Sequence, residues 1–301
     1  MSVDVVVVTH QSRPTLQAAL DLLPAEARVV VVDNASSDGT LDVASPVAAQ
    51  LVRNAENRGF AAAANQAAKL GRAEVLVFLN PDARIDKESF DMLVAELDSF
   101  PRVAVAGPRL VGIDGAPQRA WWPFPSPLAT WVEALGLHRL RRRTEGRHGE
   151  VPFVVGACMA VRRRAFEELG GFDERFWLYG EEADLCQRAW LRGWQVHFVA
   201  GATATHVGGA SAADAPALAF EHFSRGAELF ILKHHGRAAL LIHRLGLLVG
   251  SLLRLPLLAL QRREDSQHRL ATRRATTRRL VRVLATTPLR VPDLGGAEEP
   301  R

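Results

Sequence analysis

Short runs of β-branched residues alternate with stretches of helical periodicity through the first hundred residues, and this alternation constrains the fold more than any other feature. Val3–Val8, Val29–Val32 and Val75–Leu79 read as strands, with a weaker one at Leu51–Arg53; Pro14–Leu23, Gly59–Leu70 and Lys87–Phe100 read as helices. Strand runs that are apolar throughout must be covered on both faces, which predicts an α/β fold with a mostly parallel sheet and helices on either side. Each main strand ends in polar residues: Thr9-His10, Asp33-Asn34 and Asn80-Pro81-Asp82. In open α/β sheets that edge is where ligands bind.

After Val103–Ala106 the alternation breaks into a Pro-, Gly- and Trp-rich stretch, which predicts a boundary near Arg109. Three regions follow: a ligand-binding half at 1–109, a second half at 110–210 and a helical region at 211–301. The second half reads as strands at Val151–Val161 and Gln195–Val199 and helices at Arg164–Leu169 and Glu181–Leu191. The third reads as helices at Phe220–His234 and Ala238–Leu260, with Pro256 expected to kink or end the latter. Its apolar stretches, Leu245–Leu253 and Leu255–Leu260, are interrupted by Arg254 and fall short of the ~20 residues that span a bilayer. Leucines interspersed with Arg237, His243, Arg244, Arg254, Arg262 and Arg263 fit a helix in a membrane interface, with the arginine heads snorkelling to lipid phosphates. An ordinary packed helix is the alternative. Residues 264–301 read as a polar, basic, partly disordered tail.

With 48% hydrophobic and 23% charged residues the chain is neither disordered nor fibrous. The amino terminus reads as a first strand, without an export leader, which places the chain in the cytoplasm. Cys158 and Cys186 are too few for a disulfide framework or a zinc cluster. Net charge is +4, and arginine supplies nearly all the positive charge, since Lys69, Lys87 and Lys233 are the only lysines. The basic cluster of Arg139, Arg141, Arg142, Arg143 and Arg147 has no nucleic-acid-reading module around it, so nucleic acid is not an expected partner. Arginine forks suit phosphate, and a solvated basic loop is equally open.

Several short motifs carry chemistry. Asp33 through Thr40 places a carboxylate and hydroxyls at the ligand edge, either to meet a base or to form a helix-capping turn. No Gly-x-Gly-x-x-Gly or Walker lysine is present, so neither dinucleotide nor P-loop binding is supported. Asn57-Arg58-Gly59-Phe60 opens an alanine-rich helix that also carries Asn65. Asn80-Pro81-Asp82 is either a turn or one carboxylate of a magnesium or manganese site. Glu181 and Glu182 begin a helix directly after Phe176-Trp177-Leu178-Tyr179-Gly180. That placement suits the helix dipole, and it also suits a general base beside a sugar-binding aromatic stretch.

Val5–Thr9, Asp33 through Gly39, Asn57-Arg58-Gly59-Phe60, Asn80-Pro81-Asp82, Gly170-Gly171-Phe172-Asp173, Glu181-Glu182-Ala183-Asp184 and His206, in that order, resemble the family 2 glycosyltransferases. Within that family the likeness is to rhamnosyltransferases acting on polyprenyl-diphosphate-linked N-acetylglucosamine. The resemblance implies a GT-A fold, a nucleotide-diphosphate sugar donor, a lipid-linked glycan acceptor met at the cytoplasmic membrane surface, and a divalent cation. It implies a donor site of Thr9, Asp33, Asn34, Asp38, Asn57, Gly59, Phe60, Asn65 and Asn80, with Asp82 and His206 on the metal. It implies Glu182 as catalytic base, with Glu181 its competitor, and an acceptor site of Trp177, Tyr179, Arg142 and Arg143. The usual Asp-x-Asp here reads Asn80-Pro81-Asp82, so one carboxylate is missing. A galactofuranosyl or glucosyl donor, or a non-catalytic nucleotide-sugar binder, stays open.

Overall fold

The computed structural model describes residues 1–137, 147–207 and 216–260, with six further positions between 277 and 285. Two compact units emerge: Met1–Phe124 with Glu145–Asp214, and Pro125–Thr144 with Ala215–Arg301.

The first unit is built on a ten-stranded sheet. Its amino-terminal part is β1 (Val3–Thr9), α1 (Arg13–Leu20), β2 (Arg28–Asn34), α2 (Thr40–Ala44), β3 (Gln50–Asn54), α3 (Phe60–Ala68) and β4 (Val75–Leu79). There follow β5 (Ala83–Ile85), α4 (Lys87–Ser99), β6 (Val103–Val111), β7 (Pro117–Gln118) and β8 (Trp121–Trp122). Helix α5 (Pro127–Ala134) belongs to the second unit. The chain returns through β9 (Gly149–Glu150), β10 (Phe153–Val154), β11 (Cys158–Arg162), α6 (Arg163–Glu168), α7 (Glu181–Leu191) and β12 (Gln195–His206). The sheet order is β3-β2-β1-β4-β11-β6-β12-β5, with β7 added to β6, β9 to β12, and a separate β8–β10 ribbon.

Strands β1 to β4 are parallel, and β1 lies between β2 and β4. The chain therefore steps outward through β2 and β3 and then crosses to the other side of β1. This is a topological switch point, and the crevice lies beyond the carboxyl ends of β1 and β4. Val5–Val7 and Val30–Val32 are buried, as strands covered on both faces require. Ala61–Ala64 of α3 are all buried, and their small side chains let the helix lie close on β1 and β2. The expected strand 151–161 is two strands, β10 and β11, parted at Gly156-Ala157, where the Ala157 carbonyl accepts from Asn80 N–H at 2.9 Å. The boundary expected near Arg109 falls inside β6, which pairs with both β11 and β12.

In the second unit α5 packs on α8 (Pro216–Leu260). Helix α8 is interrupted at Gly236, whose φ of 83° and ψ of −179° are open to glycine alone. Glu228 and Arg244 lie 16 residues apart, about 24 Å along a continuous helix, yet their side chains meet at 2.7 Å. The helix thus reverses at Gly236 and its two arms run back along each other. Pro256 does not end the helix, for α8 continues to Leu260. The span Glu221–Leu255 holds an 18-residue window of mean hydropathy 1.6, apolar enough by composition to cross a membrane, but the reversal at Gly236 divides the span into two arms.

Candidate functional site

Two loops close the carboxyl ends of β1 and β2. Asp33 is fully buried; its carboxylate accepts from the Thr9 hydroxyl at 2.9 Å, the Ser36 N–H at 2.9 Å and the Ser36 hydroxyl at 2.5 Å. Asn34 donates to the Gly59 carbonyl at 3.1 Å and accepts from Asn54 at 2.8 Å. Asp38 accepts from Arg13 N–H at 3.0 Å and from the N–H and hydroxyl of Thr40 at 3.0 and 2.5 Å, while Thr40 in turn accepts from Ser12 N–H. The loop after β2 thereby satisfies amide donors at the start of both α1 and α2, the capping role expected of such a turn. Burial works to raise the Asp38 carboxyl, but these hydrogen bonds outweigh it and hold it below its ordinary value.

These bonds hold three of the expected donor-site residues, Thr9, Asp33 and Asn34, in a buried frame at the floor of the crevice. Asn65 faces inward: its amide grips the Phe172 backbone on both sides, at 2.9 Å each, and reaches Glu174 at 3.1 Å, which holds the 171–174 turn on α3.

The aromatic loop before α7 is fastened to the start of α3. Phe60 N–H donates to the Trp177 carbonyl at 2.8 Å, and a Cβ on Gly59 would fall 2.5 Å from that carbonyl oxygen and 2.7 Å from the Trp177 ring. Only glycine fits there. Asn57 accepts from Gly59 N–H at 3.0 Å and shapes the same turn. Among the described residues, the non-glycine positions with left-handed backbone are Gln11, Ala35 and Tyr179. All three sit in loops bordering this crevice, as stored strain at functional sites leads one to expect.

Beyond β4, Asp82 lies beside the end of β12, where its carbonyl accepts from Val207 N–H at 3.0 Å. Its carboxylate stands 3.5 Å from His206 Nε2, both side chains being largely buried. Gln118 of β7 donates from Nε2 to the His206 carbonyl at 2.9 Å, which turns its Oε1 toward His206 Nδ1 at 3.2 Å. An amide oxygen there requires Nδ1 to carry the hydrogen, leaving the Nε2 lone pair facing Asp82. Nothing in the local sequence marks Gln118, because its partner is 88 residues away.

The first turn of α7 holds two adjacent carboxyls in different settings. Glu181 is buried, with Oε2 lacking a hydrogen-bond partner; burial, and then the Glu182 charge, push it well above the ordinary carboxylate range. Glu182 is only partly buried and lies against Gly156. Its Oε2 accepts from Gly180 N–H at 3.0 Å. Burial raises it too, while backbone N–H groups of Gly180, Ala183 and Gly156 pull it down. Tyr179 is raised by burial and then by the charges of Glu181, Asp82 and Glu182. Asn80 N–H at the end of β4 bonds the Ala157 carbonyl, and Gly156 beside it lies against Glu182, which brings the end of β4 and the start of α7 into one cleft.

Among the described residues no group of three or more His, Cys, Asp or Glu side chains could hold a metal ion. The Asp82–His206 pair offers one oxygen and one nitrogen, which fits a cation completed by substrate phosphates. Arg142 and Arg143, expected at the acceptor site, lie outside the described residues. Cys158 and Cys186 are buried thiols; burial pushes Cys158 up to about 12, leaving it unreactive.

The fold is that of the GT-A glycosyltransferases. It is similar to the mannosyltransferase PcManGT of Pyrobaculum calidifontis, solved with GDP-Man and Mn2+ (TM-score 0.59, 20% identity, 94% of this chain and 85% of that one). It is also similar to GalNAc-T7, solved with UDP, GalNAc and Mn2+ (TM-score 0.53, 20% identity), covering 68% of this chain but only 43% of that one. The profile described as glycosyl transferase family 2 matches residues 4–170, and one described as the N-terminal domain of galactosyltransferase matches residues 142–208. The chain belongs to glycosyl transferase family 2. It is 28% identical over 262 residues to the N-acetylglucosaminyl-diphospho-decaprenol L-rhamnosyltransferase of Mycobacterium tuberculosis, covering 77% of this chain and 84% of that protein.

Proposed function

We propose that this glycosyltransferase moves rhamnose from a dTDP-activated donor to a lipid-linked glycan, with inversion, at the inner face of the cell membrane. The observation that carries the transfer chemistry is the placement of the Asp82–His206 pair at the end of β4, whose Asn80 N–H bonds the Ala157 carbonyl next to Gly156, the residue that lies against Glu182. Support for sugar and acceptor comes from the rhamnosyltransferase activity for which the mycobacterial relative is named, and a lipid-linked acceptor is what would bring the enzyme to the membrane surface. The arrangement assigns the two glutamates different roles. Adjacent carboxyls resist ionising together, and Glu182 has backbone N–H groups to stabilise its charge whereas the Glu181 Oε2 has no partner. Glu182 is therefore the better suited of the two to take the acceptor hydroxyl's proton as that oxygen attacks the anomeric carbon, ionisation of the more deeply buried Glu181 being disfavoured. Attack opposite the departing nucleotide diphosphate inverts that carbon. Trp177 and Tyr179 border the acceptor side. Asp82 and His206 would hold a magnesium or manganese ion, which when bound neutralises charge on the diphosphate.

Thermal melts against dTDP-rhamnose, UDP-galactose, UDP-galactofuranose, UDP-glucose and GDP-mannose, with and without Mn2+, test the reading. dTDP-rhamnose with Mn2+ should stabilise the fold most, by about 2.7 kcal/mol at a hundredfold excess over Kd. A larger shift with UDP-galactose would favour the galactosyltransferase match at residues 142–208; no shift with any sugar nucleotide would end the proposal.

Gln118 gives a second expected outcome. With its amide oxygen gone, Gln118→Leu frees His206 to protonate Nε2, and Mn2+ affinity should fall ~10–100-fold, as losses of such supporting hydrogen bonds do. Gln118→Glu keeps an acceptor at Nδ1 and should retain most of the affinity. Mn2+ titration followed by electron paramagnetic resonance, without donor, decides it; equal loss in both variants would reduce Gln118 to a packing residue.

A further inference from the structure

The carboxyl-terminal arm of α8 is inside out for a helix in water. Ile242, Leu245, Leu252 and Leu253 are 40–53% exposed, and with Val249 they recur at the spacing of a single helix face. The opposite face carries His243, Arg244 and Ser251, all buried, with Arg244 fully enclosed and paired to Glu228 of the other arm. A surface helix of a soluble protein shows the reverse arrangement. Charged groups turned inward and paired, with leucine outward, are the pattern of helices whose surroundings are hydrocarbon.

Two further observations agree. Gly246 and Gly250 lie one turn apart on the packed side, where a Cβ on Gly246 would come within 3.1–3.2 Å of Trp131 and Thr130, and one on Gly250 within 3.0 Å of Ala134. Small residues at this spacing let helices approach closely without relying on leucine contacts, as membrane helices do. The apolar stripe also ends in cations: His235 and Arg237 are exposed at the reversal, and Arg254 is partly exposed at the far end. The separation from Arg237 to Arg254 is about 25 Å along a helix.

We propose that the exposed face of α8 between Arg237 and Arg254 lies in the plane of a phospholipid bilayer, its leucines among the acyl chains and Arg237 at the phosphates, while Arg254 keeps its guanidinium on the Gly250 and Glu133 carbonyls. The one-sided stripe places the helix along the membrane and not across it. This rests on the reading that the acceptor is lipid-linked, and it corrects the sequence expectation that Arg244 and His243 reach for headgroups, since both face the protein. Membrane contact is made by the leucines, with arginine confined to the ends.

Flotation of the full chain with vesicles of phosphatidylcholine and phosphatidylglycerol, free of any acceptor, tests the surface. The wild-type protein should float, and should still float in about 1 M salt, where exposed charge pairs are screened beyond ~3 Å. Leu252→Glu/Leu253→Glu should lower partitioning roughly 100-fold, about tenfold for each leucine withdrawn from hydrocarbon. The milder Leu252→Gln/Leu253→Gln should fall in the same direction with an unchanged circular dichroism spectrum. Flotation unaffected by either variant, a wild-type protein that does not float, or a wild-type dimer that the variants turn into monomers with vesicle binding intact would overturn it. Transfer to a short-chain, water-soluble acceptor distinguishes the two readings: failure there with flotation intact sinks the transfer reading and leaves the surface standing.

Discussion

Glu182→Gln should lower turnover by about 10²–10⁴, the usual contribution of a general base, while donor affinity measured by calorimetry stays within about twofold because the proposed cation site at Asp82 and His206 is untouched. Glutamine keeps the shape and an oxygen that accepts from Gly180 N–H, so the loss is of basicity and not of the α7 start. The pH profile should carry the same signature. Burial holds the Glu182 carboxyl above its ordinary value, so the acid limb of kcat should fall at a pH above the usual carboxylate range. Glu181→Gln should leave turnover within about tenfold, since burial and the Glu182 charge disfavour ionisation of that carboxyl. It should also stabilise the protein near neutral pH. A carboxyl whose folded pKa is raised contributes stability while protonated and loses it as pH climbs from the ordinary carboxylate range through the raised value. Removing Glu181 removes that loss. A Glu181→Gln enzyme as slow as Glu182→Gln would reverse the two roles.

Why Glu182 was recognisable in the sequence and Gln118 was not is a matter of range. Strands β1, β2 and β4 and helices α3, α4 and α7 declare themselves through periodicity within a dozen residues. The site motifs at Asn80-Pro81-Asp82, Glu181-Glu182 and His206 stand at the ends of such elements, where the switch in strand order gathers ligands. Strands β5, β7, β8 and β9 have two or three residues each and are too short to show a period. Strand β12 extends to His206, beyond the Val199 expected from sequence, because its pairing with β6 shifts register between Val199 and Thr203. The Asn65 clamp on Phe172 leaves no mark in the local sequence because the two residues are 107 positions apart. Asp33 stood at the right edge, but only the fold shows both its oxygens already engaged by Thr9 and Ser36. In α8 the composition was legible and its orientation was not: which side of a helix faces inward was decided by the reversal at Gly236, which brings Glu228 to Arg244.

That reversal gives the largest expected effect on stability. Glu228 and Arg244 are both fully enclosed, 2.7 Å apart, one on each arm of α8. Glu228→Ala deprives the buried guanidinium of that carboxylate and should cost about 3–5 kcal/mol, the range for breaking an enclosed pair. Such a loss is a large part of the roughly 5–15 kcal/mol that hold a typical domain together. Glu228→Leu/Arg244→Met tests whether the pair supplies net stability. Two apolar side chains of similar volume avoid desolvating two charges, so the double variant should recover most of the loss or exceed the wild type. Urea unfolding of the wild type, Glu228→Leu, Arg244→Met and the double variant, taken as a double-mutant cycle, should therefore show a strongly non-additive pair. If the arms remain together in the double variant, the pair serves to fix the register of the hairpin, with apolar packing providing the cohesion. Additive losses would instead mean that the two side chains act independently, and that α8 is held back on itself by its contacts with α5, among them the Trp131 bond to the Ile242 carbonyl at 3.0 Å.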